Sequence, residues 1–511
     1  MSVIGLDLGT TVCKASLFND EGNLIFLERK EYPVISPYPG WAEQNPEEVW
    51  KTVKDVLKIT ATHSRNYSPP EAICISAQGE AVVFLDENLK PLRRNILGMD
   101  MRSVNQVEKL KEKFGKDWLY KLSGVPAHPI TTLAKVLWVK EEQANIFRQT
   151  SYFLCYEDFI SMKLGGIAAI DYSLACRTMM FDIERKEWSS RILDYLQINP
   201  DNLAKIYPSG EIIGKIFPKI AREIGLPSGV KLVTGGHDVT CAALGAGSIR
   251  EGIAADIVGT AEIFGITLEN REIALDIQPP NFACYLHVVP HKFWLMTLNQ
   301  TCGLLLKWYR DTFGQREAEE AMKQGIDVFS LIVNQAKKDP ANILILPHLV
   351  GSGTPWIDAK SKGAILGLTI NTDKSEVIRA IMEAVVYEQK INLDIFEAHN
   401  LPIREIRAVG GGTKSKTWLQ VRADILNKTI TTVHTDEASC LGTAILAQYA
   451  LGKYFSIQEA AKKMVKVRTK IIPNRTYTND YKQRYQLFNK IYPTLKQINH
   501  LIHNMQRKRK Y

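Results

Sequence analysis

Ile4-Gly5-Leu6-Asp7-Leu8-Gly9-Thr10-Thr11-Val12-Cys13-Lys14 sets the terms on which the rest of the chain is read. Val3 to Leu6 is short, apolar and β-prone, the composition of a buried strand. Asp7, a glycine, two hydroxyls and a lysine follow, and the chain returns as a second strand from Ala15 to Phe18. A glycine turn between strands lets backbone N–H groups come close to an anion. Thr10 and Thr11 add donors, Lys14 adds charge, and Asp7 has the chemistry to hold a metal ion. The same spelling also fits a plain hairpin whose polar turn faces water, so the motif needs company elsewhere in the chain.

At 511 residues and 57.6 kDa the chain exceeds one typical core, which predicts two or three domains. A composition of 45% hydrophobic and 23% charged residues is that of an ordinary globular protein. The net charge of +9 is mild over this length and suits an anionic substrate such as a nucleotide. Part of it lies in Arg507-Lys508-Arg509-Lys510, which reads as a solvated, disordered end rather than a nucleic-acid or membrane contact. The eight cysteines are scattered with no C-x-x-C pair, against a metal cluster or a disulfide framework. Asp7 interrupts the only apolar stretch near the N-terminus, and no segment reaches ~18 uninterrupted apolar residues. A reduced, cytoplasmic protein without membrane or nucleic-acid partners is the expectation.

Beyond the opening hairpin, Leu24 to Leu27 continues the sheet and a proline- and aromatic-rich loop carries Gly40-Trp41-Ala42-Glu43-Gln44. Trp41 either walls a pocket or packs the loop down. A helix starts at Asn45-Pro46, with Glu48 placed to close a capping box and Val49, Val53, Val56 and Leu57 forming one apolar face. Ala72 to Ser76 is a strand delivering Ala77-Gln78-Gly79-Glu80 at its end, where an α/β sheet places ligand-binding groups. Gly98-Met99-Asp100-Met101-Arg102 makes a second abrupt polar break, for which an Asp–Arg pair is the simplest account. Ile130 to Glu142, with Lys135 and Trp138, reads as helix.

Lys231 to Thr234 is another buried-type strand, ending in Gly235-Gly236-His237-Asp238 ahead of a small-residue helix. Ile253 to Val258 then runs into Gly259-Thr260-Ala261, echoing the N-terminus: strand, glycine, threonine. Ile406 to Val409 opens into Gly410-Gly411-Gly412-Thr413-Lys414-Ser415, with a helix from about Thr417. Glycines before a helix N-terminus seat an anion or nucleotide, or simply make a left-handed turn. No G-x-x-x-x-G-K-[ST] occurs, and no G-x-G-x-x-G follows the first strand, which excludes a P-loop and counts against a dinucleotide fold. An approximate duplication follows: an α/β chain of two domains, 1–246 and 247–511, the second ending in a basic tail over 504–511. Each domain offers a glycine–hydroxyl turn to a shared cleft.

With these pieces in order, the chain resembles the FGGY sugar-kinase family, within the actin and heat-shock-chaperone ATPase superfamily. The resemblance runs from about Val3 to past Gly442. Asp7-Leu8-Gly9-Thr10-Thr11 is similar to the family's first phosphate motif, Val258-Gly259-Thr260 to its second, and Ala408-Val409-Gly410-Gly411-Gly412 with Ser415 and Trp418 to its adenosine motif. Gly363-Ala364-Ile365-Leu366-Gly367-Leu368, Glu376-Val377 and Ala380-Ile381-Met382-Glu383 match its C-terminal signature. The signature around Lys135 and Trp138 is nearly met, with Ile130 where another residue type is usual.

The resemblance implies two ribonuclease-H-like domains around a central cleft, using ATP, Mg2+ and a small-molecule sugar or polyol. It assigns Asp238 as catalytic base, Asp7 to the magnesium, and Trp41, Gln78, Gly79, Glu80, Asp100 and Asp238 to the sugar. Thr10, Thr11, Lys14, Gly259, Thr260, Gly303, Gly411, Gly412 and Ser415 would bind ATP. Glu80 matches glycerol kinases and Gly79 does not; xylulose kinases carry Met-His at this pair. Gly79 is expected to make room for a substrate larger than glycerol. The background is closest to the xylulose-kinase branch, which implies a ketopentose such as xylulose. The alternatives are glycerol, erythritol or a sugar acid as substrate, or a non-kinase ATPase of the superfamily. A homodimer is in keeping with the family, although no stretch identifies its interface.

Overall fold

The computed structural model describes residues 1–277 and 281–508. Two mixed sheets organise it, and they repeat one plan. In the first, β1 (Ser2–Leu8), β2 (Val12–Asn19) and β3 (Leu24–Glu31) form an antiparallel meander. β4 (Pro70–Ala77) and β6 (Lys231–His237) add in parallel on the other side of β1, and β5 (Ile212–Lys215) closes the edge antiparallel to β6. The spatial order is β5-β6-β4-β1-β2-β3.

The second sheet contains β7 (Ile253–Val258), β8 (Glu262–Leu268), β9 (Ala283–Leu286), β10 (Phe293–Asn299), β11 (Glu405–Val409), β12 (Thr429–Val433) and β13 (Val467–Ile471). Its order is β9-β10-β8-β7-β11-β12-β13. The meander β7-β8-β10 is antiparallel, and β11 and β12 add in parallel beside β7. The meander-then-parallel plan of the first sheet is thus repeated, and in both the first strand leads directly into the glycine–threonine turn.

All seven residues of β1 are buried, because helices cover both faces. Ile4, Leu6 and Leu8 alternate onto the face shared with Val49, Val53, Val56 and Leu57 of α1 (Pro46–Ser64). The Asn45 side chain caps this helix by accepting from the Glu47 amide at 3.1 Å. Val3 packs on the opposite face with Cys440, Leu441 and Ala444. These belong to a helix from the far end of the chain, Ala438–Ala450, which lies across β1, β4 and the helix Asp238–Gly245. Its approach is backbone on backbone. A Cβ on Gly5 would stand 2.5 Å from the Cys440 carbonyl oxygen, one on Gly442 2.0 Å from that of Cys241, and one on Gly245 1.9 Å from that of Ala438. Only glycine permits such contacts.

Two local expectations are corrected. The strand expected over Lys231 to Thr234 continues to His237: after a register shift at Gly235, Gly236 and His237 pair with Ser76 and Ala77 as the last part of β6. The helix begins directly at Asp238. The basic end is not irregular from Arg507: a helix extends from Thr478 to Lys508, and residues 509–511 of the tail lie outside the described residues. Among the described residues, no helix is long and apolar enough to cross a membrane.

Candidate active site

The turn after β1 is shaped by what holds its carbonyls. Tyr32 Oη and Gln78 Nε2 donate to the Gly9 carbonyl, the latter at 3.2 Å, and Gln44 Nε2 donates to that of Thr10 at 2.7 Å. A trans peptide points its N–H opposite its C=O. Tying the two carbonyls back therefore turns the amides of Thr10 and Thr11 outward, the orientation an anion needs. Gln78, assigned to the sugar from sequence, buttresses this turn. Lys14 is on β2, its Nζ 2.6 Å from Glu437 in the second half of the chain. Asp7 is buried, accepts from Ser76 Oγ at 2.9 Å, and is raised from the usual carboxylate range by burial.

The second turn uses the same device with different donors. The Gly303 amide donates to the Gly259 carbonyl at 3.0 Å, and the amides of Cys302 and Leu304 donate to that of Thr260 at 3.2 and 3.1 Å. The amides of Thr260 and Ala261 are thereby turned outward. Gly303 opens the helix Gly303–Phe313, and a Cβ there would lie 2.7 Å from the Gly259 oxygen. Its placement explains the glycine: the helix start must touch the turn. Gly303→Val is expected to raise the KM for ATP on the order of tenfold, by displacing the turn. ATP titration of the folded variant checks this.

Beside this turn stands the glycine run after β11. Gly410 has φ 91° and Gly412 abuts Val258, each Cβ position lying 2.7 Å or less from an atom of that residue, whereas nothing lies within 4 Å of a Cβ on Gly411. Ser415 Oγ accepts from the Trp418 amide at 3.1 Å, so this hydroxyl is the N-cap of the helix Lys416–Leu426. Behind the wall, Arg422 of that helix is fully buried and donates to Asp256 at 2.9 Å, to Gln389 at 3.0 Å and to Glu262.

The remaining residues gather around Asp238. Asp238 Oδ1 accepts from the Val239 amide at 2.8 Å and lies 3.3 Å from His237 Nε2. The side chain is 30% exposed, so it is reachable. Burial, and then the neighbouring charges of Asp7 and Glu80, push its pKa up to about 8. Glu80 has φ 63°, a left-handed conformation rare for a residue with a side chain. It is held there by Lys135 Nζ and Thr132 Oγ1, which donate to its carbonyl at 3.0 and 3.2 Å. Burial pushes Lys135 down to about 7. The Glu80 carboxylate is paired with Arg177 of the short helix Tyr172–Arg177.

Two substrate expectations change on this geometry. The space over Gly79 is not open for a larger substrate: a Cβ there would be 3.0 Å from His237 Nε2 and 3.4 Å from Arg177 Cγ. The glycine makes room for the protein's own imidazole. Asp100 is 0% exposed and accepts from the Ala42 amide at 2.6 Å and from Arg102 Nη2 at 2.8 Å. It therefore acts on the pocket by fixing the Trp41–Ala42 loop. Trp41 is half-buried, stacked under the Arg102 guanidinium at 3.6 Å and edge-on to Trp138. Arg177, Tyr285 and Glu437 were missed from sequence, since each meets its partner from a distant segment and no motif marks it. Lys135 stood in a recognisable signature without a role.

Asp7 fits a divalent cation. It is a buried carboxylate beside a turn whose amides face outward, and among the described residues no group of three or more His, Cys, Asp or Glu forms a protein cage for a metal. One carboxylate together with substrate phosphates is the usual ligand set of Mg2+.

Comparison with known proteins agrees with this architecture. The model described as "FGGY family of carbohydrate kinases, N-terminal domain" matches residues 2–245, and that of the C-terminal domain matches residues 254–451. A xylulose kinase of Bacillus subtilis is 30% identical over 502 residues, covering 97% of this chain and 98% of that protein. A gluconokinase of the same organism is 30% identical over 493 residues, covering 95% and 94%. The fold is that of a ligand-bound xylulose kinase from Lactobacillus acidophilus, with a TM-score of 0.87 at 24% identity, covering 97% of this chain and 98% of that one. Two domain matches and relatives aligned along nearly all of its length establish that the chain belongs to the FGGY family of carbohydrate kinases, and that it is a phosphotransferase acting on an alcohol group.

Proposed function

We propose that the chain transfers the γ-phosphoryl group of ATP to a hydroxyl of a neutral ketopentose or polyol, with Asp238 as general base. The substrate O–H gives its proton to the Asp238 carboxylate as the oxygen bonds to the γ-phosphorus, and the bond from phosphorus to the ADP oxygen breaks in line. The outward amides of Thr10, Thr11, Thr260 and Ala261 supply donors for the phosphate oxygens, where charge must be stabilised. Lys14 adds a cation on the first side. Asp7 would hold the magnesium of the nucleotide, which neutralises phosphate charge when bound.

The observation that supports a neutral substrate is the set of carboxyl groups around Asp238. Asp7 and Glu80 both act electrostatically on Asp238, while Arg177 is already paired with Glu80. With Asp238 ionised, as a general base must be, a substrate carboxylate beside it would meet like charge, a cost of more than one kcal/mol at about 4 Å even in a polar site. The family's gluconokinases therefore offer the poorer precedent. ADP release measured across ketopentoses, pentitols, tetritols, glycerol and aldonates tests this. A ketopentose or pentitol is expected to exceed every aldonate in kcat/KM by about tenfold or more. An aldonate as best substrate would overturn the charge argument.

A further inference from the structure

His237 has a role that its place next to Asp238 does not by itself explain. It is the last residue of β6, 6% exposed at its side chain, and its ring is gripped from three sides. Gly79 leaves it room, Tyr285 Oη lies 2.7 Å from Nδ1, and Asp238 Oδ1 lies 3.3 Å from Nε2. Burial and the neighbouring Arg177 hold its pKa well below the ordinary histidine range, so the ring is neutral and carries one proton. Which nitrogen carries it is decided by Tyr285.

The Tyr285 hydroxyl has two possible acceptors, His237 Nδ1 at 2.7 Å and the Met296 sulfur at 3.4 Å. An imidazole nitrogen is the far better acceptor, a thioether a weak one. The hydroxyl proton therefore goes to Nδ1, which places the ring proton on Nε2, facing Asp238. Oδ1 then holds the Val239 amide by a hydrogen bond and faces the His237 Nε2–H at 3.3 Å, an electrostatic contact on the same oxygen that leaves Oδ2 for the substrate hydroxyl. Tyr285 is on β9, in the second sheet, whereas His237 and Asp238 belong to the first half.

We propose that His237 is a positioning residue for Asp238, and that its tautomer is set from the other half of the molecule by the Tyr285 hydroxyl. The proposal rests on the reading of Asp238 as base. A carboxylate held by one oxygen presents the other in a fixed direction, and a hydrogen bond across the two halves makes that direction depend on how they are seated together.

Steady-state kinetics of Tyr285→Phe, His237→Gln, His237→Leu and Asp238→Asn, with ATP affinity as the check on folding, test it. Tyr285→Phe is expected to lower kcat about tenfold with the sugar KM within about twofold, because only the tautomer is released. Gln carries an amide donor near the Nε2 position, so His237→Gln should retain about ten times the kcat of His237→Leu. Side-chain 15N NMR should report the Nε2–H tautomer of His237 in the wild type and a mixture in Tyr285→Phe. Equal rates in the Gln and Leu variants, or a fully active Tyr285→Phe, would overturn the proposal while an inactive Asp238→Asn left the base reading standing. Normal turnover by Asp238→Asn would instead remove the base, and the proposal with it.

Discussion

Asp238→Asn is expected to reduce kcat by about 10²–10⁴-fold while leaving ATP binding nearly unchanged, the loss typical of removing a positioned general base. Asn keeps the volume and accepts from the Val239 amide, so the helix Asp238–Gly245 is undisturbed. The wild type carries its own control. With the Asp238 pKa pushed up to about 8 in the free enzyme, the base is protonated at lower pH. The kcat/KM for the sugar should therefore fall tenfold per pH unit below about 8, a limb absent from the residual activity of the variant. Stability carries the opposite sign. The folded state holds this proton up to about pH 8 and the unfolded chain only to the ordinary carboxylate pKa. Folding is therefore penalised by Asp238 as pH rises through that window. Asp238→Asn should melt higher than wild type at pH 8, and the gap should close toward pH 4. A variant that lost activity and melted lower at pH 8 would point to a damaged fold rather than a lost base.

Arg422→Met is the second large effect, on stability first. Arg422, Asp256 and Glu262 are all essentially inaccessible, and the guanidinium is the partner of both carboxyl groups. Removing it strands two carboxyls in the interior, a change that costs about 3–5 kcal/mol. At roughly 2–4 °C per kcal/mol the melting temperature should fall by about 10 °C. Burial already pushes Glu262 up to about 7 and raises Asp256 even with the arginine present. Without it both bind protons more tightly in the folded state than in the unfolded one. The deficit should therefore be larger at pH 8 and shrink on acidification. Function is affected through position. Glu262 begins the strand that follows the second turn, and Arg422 Nη2 reaches Cys302, just before Gly303, at 3.7 Å. The KM for ATP should rise with the loss of stability, measured below the melting transition.

Much of this was legible because it is local. A buried strand, a glycine and adjacent hydroxyls specify a turn within a dozen residues, and the turn occurs twice in the same strand context. The carboxylate at Asp238 could be found because it directly follows an apolar strand. What could not be read is who occupies the space. Gly79 spells vacancy in sequence, and only the fold shows His237 filling it from a strand more than 150 residues away. The family resemblance assigns Asp100 to the sugar, whereas the residues themselves spell an Asp–Arg pair. Its pairing with Arg102 is local, but its complete burial under the Trp41 loop is a tertiary fact. Lys14 faced the anion turn in sequence, and nothing in the opening stretch announces Glu437 as its partner.

The glycine contacts between the helices Asp238–Gly245 and Ala438–Ala450 bear on how the molecule can move. Helices normally lock their crossing angle by fitting side-chain ridges into grooves. Here the closest approaches are backbone on backbone at Gly245 and Gly442, with Cys241, Leu244, Cys440 and Leu441 packed around them. Such a contact holds the two helix axes at unusually short range. Asp238 stands at the end of the shorter helix, about 10 Å from Gly245 at 1.5 Å per residue, and nearer still to the Cys241–Gly442 touch point. A rotation that swings the outer rims of the two halves through a wide arc moves Asp238 only slightly. Any rotation about this crossing would therefore leave the carboxylate proposed to take the proton almost where it was.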